Sequence, residues 1–266
     1  MFVVVTTQEQ PRGLLTRAKD RITGGNLISQ RKTFLGNVYY HMTVQGGSVP
    51  WDRIAGMVGR AATRLVLPPQ LEPPPGRGLG RYNATIFEGR LTALAAAQAL
   101  RQSPHPGGGT TLGMLDEDGL WGWCCRELAP LCGAVRVYTQ RPQRYEAISR
   151  QMMEDWGASV VLADQPQELE RCDFAISPAS TGVVRLRLPV ITVTHSGVQG
   201  RPTINRLRLQ LPQDLLDQIP PDIQPEDFLG AAYELGTRRI PLTFSLGECR
   251  VDGRRAALEE IHRTWS

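Results

Sequence analysis

The chain has 266 residues, enough for one large domain or two smaller ones, and it is 41% hydrophobic and 21% charged, as globular proteins are. The formal net charge at pH 7 is only +4, and no run of five or six like charges occurs. This charge pattern therefore argues against a nucleic-acid partner. No stretch of 18 apolar residues is present, which excludes a membrane partner held through a spanning helix.

The cysteine and lysine residues limit the metal-binding and covalent catalytic chemistry that we expect of the chain. The cysteines are odd in number and form no Cys-x-x-Cys pair, so we expect reduced thiols in a core and no metal site; they are Cys124, Cys125, Cys132, Cys172 and Cys249. Lys19 and Lys32 are the only lysines, so lysine-based covalent catalysis would depend on one of them. The opening letters MFVVVTTQEQ lack the pattern of a signal peptide, and we expect a cytoplasmic protein.

The first hundred residues contain strand and helix patterns separated by a proline-rich loop. Residues 2–6 are short, β-branched and apolar, which predicts a buried strand, and residues 33–44 predict one or two more strands. Helical spacing of apolar residues predicts helices over 51–64 and 88–102. We assign residues 1–102 to an N-terminal α/β domain.

Beyond residue 102 the predicted strands alternate with short helices, and the strands lie at 110–115, 135–139, 159–163, 174–176 and 189–194. This alternation predicts a parallel sheet covered by helices on both faces, a doubly wound α/β fold with strand order 3-2-1-4-5. We assign residues 103–200 to this Rossmann-like domain. Residues 201–266 form a C-terminal segment that bridges back to the first domain and ends in a predicted helix over 252–264.

The first strand of this domain ends in an acidic turn that is followed by glycines. In dinucleotide-binding domains this turn carries G-x-G-x-x-G, and its N–H groups hold the pyrophosphate at the start of a helix. Here the aligned letters, EDGLWG, keep the second and third glycines but begin with glutamate. Because carboxyl ends of parallel strands share one edge, we expect one crevice lined by Asp116, Asp118, Gly119, Gly122, Ser177 and His195.

The second strand ends in residues suited to a phosphate rather than to a free ribose hydroxyl. NAD enzymes carry an acidic residue at this place, whereas this chain offers Thr139, Arg141 and Arg144. Arginine side chains bind the 2′-phosphate of NADP, so NADP is the cofactor that these residues predict.

Residues 109–196 resemble the NAD(P)-binding half of the shikimate dehydrogenase and glutamyl-tRNA reductase group. The similar motifs are VRVYTQRPQR after the acidic turn and ELERCDFAISPAS at the fourth strand. The resemblance implies a dehydrogenase-type Rossmann domain behind an N-terminal substrate domain, a small-molecule ligand and NADP. It is compatible with a homodimer.

The acidic turn leaves two other functions open. Two like charges about 4 Å apart near a protein surface repel by roughly 4 kcal/mol, so the turn opposes a pyrophosphate, and the fold could serve as an inactive structural or interaction scaffold. Alternatively, MLDEDGL resembles the opening motif of magnesium-dependent haloacid dehalogenase-type phosphatases. That resemblance implies Asp116 as nucleophile, Asp118 as acid/base and Thr139 as the phosphoryl-binding residue, although the later strand ends lack the acidic pair for the metal.

Overall fold

The computed structural model describes residues 1–8, 26–46, 48–102, 109–179, 182–236 and 245–257. The strands in these ranges are β1 Phe2–Gln8, β2 Asn26–Phe34, β3 Asn37–Gln45, β4 Leu65–Val66, β5 Thr111–Leu115, β6 Ala134–Tyr138, β7 Ser159–Ala163, β8 Phe174–Ser177, β9 Val184–Arg185, β10 Val190–Thr192, β11 Val198–Gln199, β12 Thr203–Leu209, β13 Leu246–Val251 and β14 Arg254–Ala257. The α-helices are α1 Trp51–Val58, α2 Thr85–Gln102, α3 Trp123–Leu128, α4 Gln143–Trp156, α5 Gln213–Leu216 and α6 Pro225–Leu235. Short 3-10 helices span Gly59–Arg64, Ala129–Leu131 and Pro166–Arg171.

Two compact units share the chain discontinuously. The first contains Met1–Ala84 and Leu211–Thr243, and the second contains Thr85–Gln210 and Phe244–Ser266. The helix α2, placed in the N-terminal domain on sequence grounds, packs against β8, β10 and β12 of the second unit. No helix of the described ranges is both long and apolar enough to cross a bilayer.

The first unit is built around β1, whose residues Phe2–Thr6 are all buried. Its described strands form a sheet in the order β2-β3-β1-β4, with β1 parallel to both neighbours and β2 antiparallel to β3. Phe228 of α6 packs edge-on against three aromatic rings of this sheet, those of Phe2, Phe34 and Tyr39. Burial of these rings explains why the apolar β1 segment lies at the centre of the sheet.

The second unit has the predicted doubly wound sheet. Its described strands lie in the order β14-β13-β12-β10-β8-β5-β6-β7, and every pair from β12 to β7 is parallel. Numbered from β5, the parallel part is 3-2-1-4-5-6, so the predicted order is confirmed and β12 continues it. From β5 the chain adds β6 and β7 on one side of the sheet and then β8, β10 and β12 on the other. The order of the strands therefore reverses between β5 and β8, which makes this the switch point of the sheet.

The end of the chain differs from its predicted helix. Asp252 and Gly253 form a turn with φ of 47° and 80°, and Arg254–Ala257 then pairs antiparallel with β13. An Asp-Gly pair with both φ angles positive closes a two-residue hairpin, because this turn matches the twist of the strands it joins. The hairpin therefore replaces the first part of the predicted helix, and residues 258–264 lie outside the described ranges.

Candidate functional site

The acidic turn folds around the carboxylate of Asp116. This residue follows β5 directly and is 1% exposed. Its Oδ1 accepts the Leu120 N–H at 3.0 Å, and its Oδ2 accepts the Trp121 N–H at 2.7 Å. Gly119, with φ of 66°, supplies the left-handed conformation that brings these N–H groups back over the carboxylate. The N–H groups just before α3 therefore already have an anionic partner within the chain.

A third donor reaches the same carboxylate from α4. The buried Tyr145 hydroxyl donates to Asp116 Oδ2 at 2.5 Å. Burial, followed by the nearby Asp116 charge, raises the pKa of Tyr145, so its hydroxyl keeps its proton and remains a donor. Three donors thus surround one carboxylate, as buried anions require.

The residues predicted after β5 and β6 lie together. A Cβ atom on Gly119 would lie 2.8 Å from Arg144 Cδ and 3.0 Å from Arg141 Cβ. Arg144 Nη1 donates to the backbone oxygen of Asp118 at 3.0 Å. The Thr139 hydroxyl joins the two loops, accepting the Arg141 N–H at 3.0 Å and donating to the backbone oxygen of Glu117 at 3.4 Å. The arginines therefore cover the turn on its β6 side.

Gly122 permits close packing of two helices. A Cβ atom there would lie 2.3 Å from Ile148 Cδ1 of α4. The third glycine of the dinucleotide fingerprint has a comparable packing role in dinucleotide-binding domains.

The switch point between β5 and β8 is filled by protein. The Trp121 side chain, 6% exposed, packs against Gly89 of α2, where a Cβ atom would lie 2.1 Å from Trp121 Cη2 and 2.2 Å from the Pro178 oxygen. Glu88 Oε2, one residue earlier, accepts the Thr194 N–H at 3.0 Å. The first turns of α2 thus lie over the loops that follow β5, β8 and β10, where open α/β sheets hold their ligands.

Ser177 is the last residue of β8, and His195 follows β10 on this same edge. Ser177 is buried, and its hydroxyl donates to the backbone oxygen of Ala179 at 3.1 Å. His195 is exposed in the turn after β10. The structure brings the predicted residues of β5 and β6 into contact, and it uses the Ser177 hydroxyl within its own loop.

Four residues of this edge were missed by the sequence analysis: Glu88, Gly89, Trp121 and Tyr145. Gly89 carries the one usable signal, because a glycine inside an alanine- and leucine-rich helix indicates a close approach by another group. The other three residues contact partners that are remote in sequence, and no local sequence pattern indicates those contacts.

The acidic turn does not present the nucleophile that a phosphatase needs. Asp116 is buried, and both of its oxygens accept hydrogen bonds from the chain. Among the described residues, no group of three or more histidine, cysteine, aspartate or glutamate side chains is placed to hold a metal ion.

The five cysteines are free and buried, as expected for core thiols. Burial raises the pKa of the Cys125 and Cys132 thiols to about 12 and that of Cys172 to about 11. We therefore expect iodoacetamide at mildly alkaline pH to leave these three thiols unmodified in the native protein, because the thiolate is the reacting form. Mass spectrometry measures the modification, with denatured protein as the control in which all five react. Rapid native labelling of Cys125 would contradict this expectation.

Six parallel strands in the order 3-2-1-4-5-6, with a glycine-containing turn after the first, define the second unit as a Rossmann-type domain. No protein-family model matches the chain, and no curated protein matches it.

Several solved structures show distant similarity to the chain. Δ1-pyrroline-2-carboxylate reductase of Thermococcus litoralis, in complex with NADH and L-proline, is 18% identical with a TM-score of 0.30, over 45% of this chain and 40% of that chain. Iminosuccinate reductase of Paracoccus denitrificans, in complex with NAD⁺, is 17% identical with a TM-score of 0.29, over 44% and 39%. L-tryptophan dehydrogenase from Nostoc punctiforme is 15% identical with a TM-score of 0.34, over 86% and 72%.

The matched part of the chain spans about 40% of the length of the first two structures. Similarity at this level carries no functional conclusion for the present chain. The resemblance to the shikimate dehydrogenase group stays a prediction.

Proposed function

We propose that this protein is a non-catalytic Rossmann-type scaffold whose dinucleotide site is occupied by its own side chains. The observation that carries the proposal is the Asp116 carboxylate, which accepts the Leu120 and Trp121 N–H groups and the Tyr145 hydroxyl. In a dinucleotide-binding domain, N–H groups at this position bind the pyrophosphate. Here the aspartate takes the place of that anion.

The negative charge of Asp116 and the space occupied by side chains at the switch point both support this proposal. A second anion about 4 Å from the Asp116 carboxylate would be repelled by roughly 4 kcal/mol at the effective dielectric of a protein surface. Trp121 and the first turns of α2 lie at the switch point, where the rest of a dinucleotide would have to pass. A scaffold of this kind acts through interaction rather than through hydride transfer.

A second candidate function is NADP binding of the dehydrogenase type, with a small-molecule substrate. The observation that favours it is the position of Arg141 and Arg144 against Gly119, at the ends of β5 and β6, where a 2′-phosphate binds in NADP enzymes. Under this second candidate, we expect the protein to be a homodimer located in the cytoplasm.

Thermal melting with millimolar NAD or NADP distinguishes the two candidates. We expect neither nucleotide to raise the melting temperature through binding at the Asp116 turn, because the anion position there is occupied. A nucleotide at one hundred times its dissociation constant would add about 2.7 kcal/mol to the free energy of unfolding, which the assay detects readily.

Two variants test whether any nucleotide binding occurs at the edge that carries the acidic turn. A shift with NADP alone that disappears in Arg144→Gln would support the second candidate. Asp118→Gly removes an exposed charge from the turn, so any nucleotide binding at this edge is expected to be tighter in this variant. A shift with both NAD and NADP that is larger in Asp118→Gly would contradict the scaffold proposal.

A further inference from the structure

A cavity of the Rossmann-type unit lies at the edge of the sheet opposite the Asp116 turn, where the parallel strands begin. Its volume is about 520 Å³, within the usual range for small-ligand sites. The lining comes from the 3-10 helix before β8 and from the segments before β10 and β12, and its polar side chains are Gln167, Glu170, Arg185, Arg187, Gln199 and Arg201.

Backbone hydrogen bonds fix the segments that carry these side chains. The two-residue strands β9 and β11 pair in parallel, which places Arg185 beside Gln199. The Arg187 N–H donates to Glu170 Oε1 at 3.1 Å, and the Arg201 N–H donates to the Leu188 oxygen at 2.8 Å. The arginine side chains therefore project from a preformed frame.

The cavity carries an unbalanced positive charge. Three exposed arginines and one carboxylate, that of Glu170, line the cavity, and this carboxylate already accepts the Arg187 N–H. Within the described ranges, none of these three guanidinium groups has an ion-pair or hydrogen-bond partner.

We propose that this cavity is an anion-binding site for a compound that carries a diphosphate group. Guanidinium groups donate parallel hydrogen bonds that match phosphate oxygens, and a multiply charged anion relieves the repulsion among three like charges. The amides of Gln167 and Gln199 add neutral donors at the same cavity. The site is independent of the proposed scaffold function and of the Asp116 turn.

Isothermal titration calorimetry with inorganic pyrophosphate tests this site on the full chain. The expected result is saturable one-to-one binding by the wild type, with a dissociation constant at least tenfold higher in Arg187→Gln and in Arg201→Gln. Arg150→Gln is the matched control, because Arg150 is an exposed arginine of α4 in the same unit but outside the cavity. Its affinity is expected to equal that of the wild type.

Two results would overturn the proposal: no saturable binding by the wild type, or equal affinity in all four proteins at matched ionic strength. Melting curves without ligand confirm that each variant is folded. NAD and NADP also contain a diphosphate, so the nucleotide melting experiment is repeated with Arg201→Gln. A shift that originates at the Asp116 edge persists in this variant, and a shift that originates in the cavity is lost.

Discussion

Asp116→Ala is expected to lower the free energy of unfolding by about 3 kcal/mol. The substitution removes the acceptor of the Leu120 and Trp121 N–H groups and of the Tyr145 hydroxyl, and each buried donor left without a partner costs about 1–3 kcal/mol. The bonds to the two N–H groups resemble a helix N-cap, whose loss alone costs roughly 0.5–2 kcal/mol. Urea unfolding followed by circular dichroism measures the change.

The matched control is Asp118→Ala, two residues further along the same turn. Its side chain is exposed, so we expect a change of no more than about 0.5 kcal/mol. Tyr145→Phe removes one donor to the buried carboxylate and is expected to cost about 1.5–3 kcal/mol, the range for hydrogen bonds to charged groups. If Asp116→Ala and Asp118→Ala had equal effects, the inward-facing role of Asp116 would be wrong.

Gly89→Ala should also destabilise the protein, by about 3 kcal/mol. The added methyl group would lie 2.1 Å from the Trp121 ring and 2.2 Å from the Pro178 oxygen, so the helix, the ring and the loop after β8 would have to separate. Overpacking of this kind costs typically 1–3 kcal/mol, and a backbone carbonyl yields less readily than a side chain. The change is measured by urea unfolding.

Gly56→Ala is the control for this second experiment. Gly56 lies inside α1, and no atom lies within 4 Å of a Cβ built on it. Alanine is the better helix former by about 0.8–1.0 kcal/mol, so this variant is expected to be more stable than the wild type. A Gly89→Ala protein as stable as the wild type would show that Trp121 does not fill the switch point.

The fold of the second unit was predictable because each strand carries its own local signal. Residues 110–115, for example, are apolar and bounded by a glycine run and an acidic turn, and β5 lies there. Alternation with helices then restricts the topology, since parallel strands need crossovers of one hand. The terminal hairpin was mispredicted because helical spacing outweighed the Asp-Gly turn signal at Asp252 and Gly253.

The candidate site was predictable only in part. The sequence places Asp116, Gly119 and the two arginines at neighbouring strand ends, and the structure brings both arginines into contact with Gly119. The sequence does not reveal whether a carboxylate at such an edge points outward to a ligand or inward to its own backbone. That choice depends on Tyr145 and Trp121, whose approach to the turn follows from tertiary packing.

The tethered carboxylate of Asp116 has a consequence for regulation. A carboxylate that belongs to the chain binds intramolecularly, so its effective concentration is set by the geometry of the turn from Asp116 to Leu120 and not by the solution. Under the scaffold proposal, changes in the cellular level of a nucleotide therefore leave the hydrogen bonds at this position unchanged. Under that proposal, the conformation of the turn is independent of the concentration of free NAD or NADP.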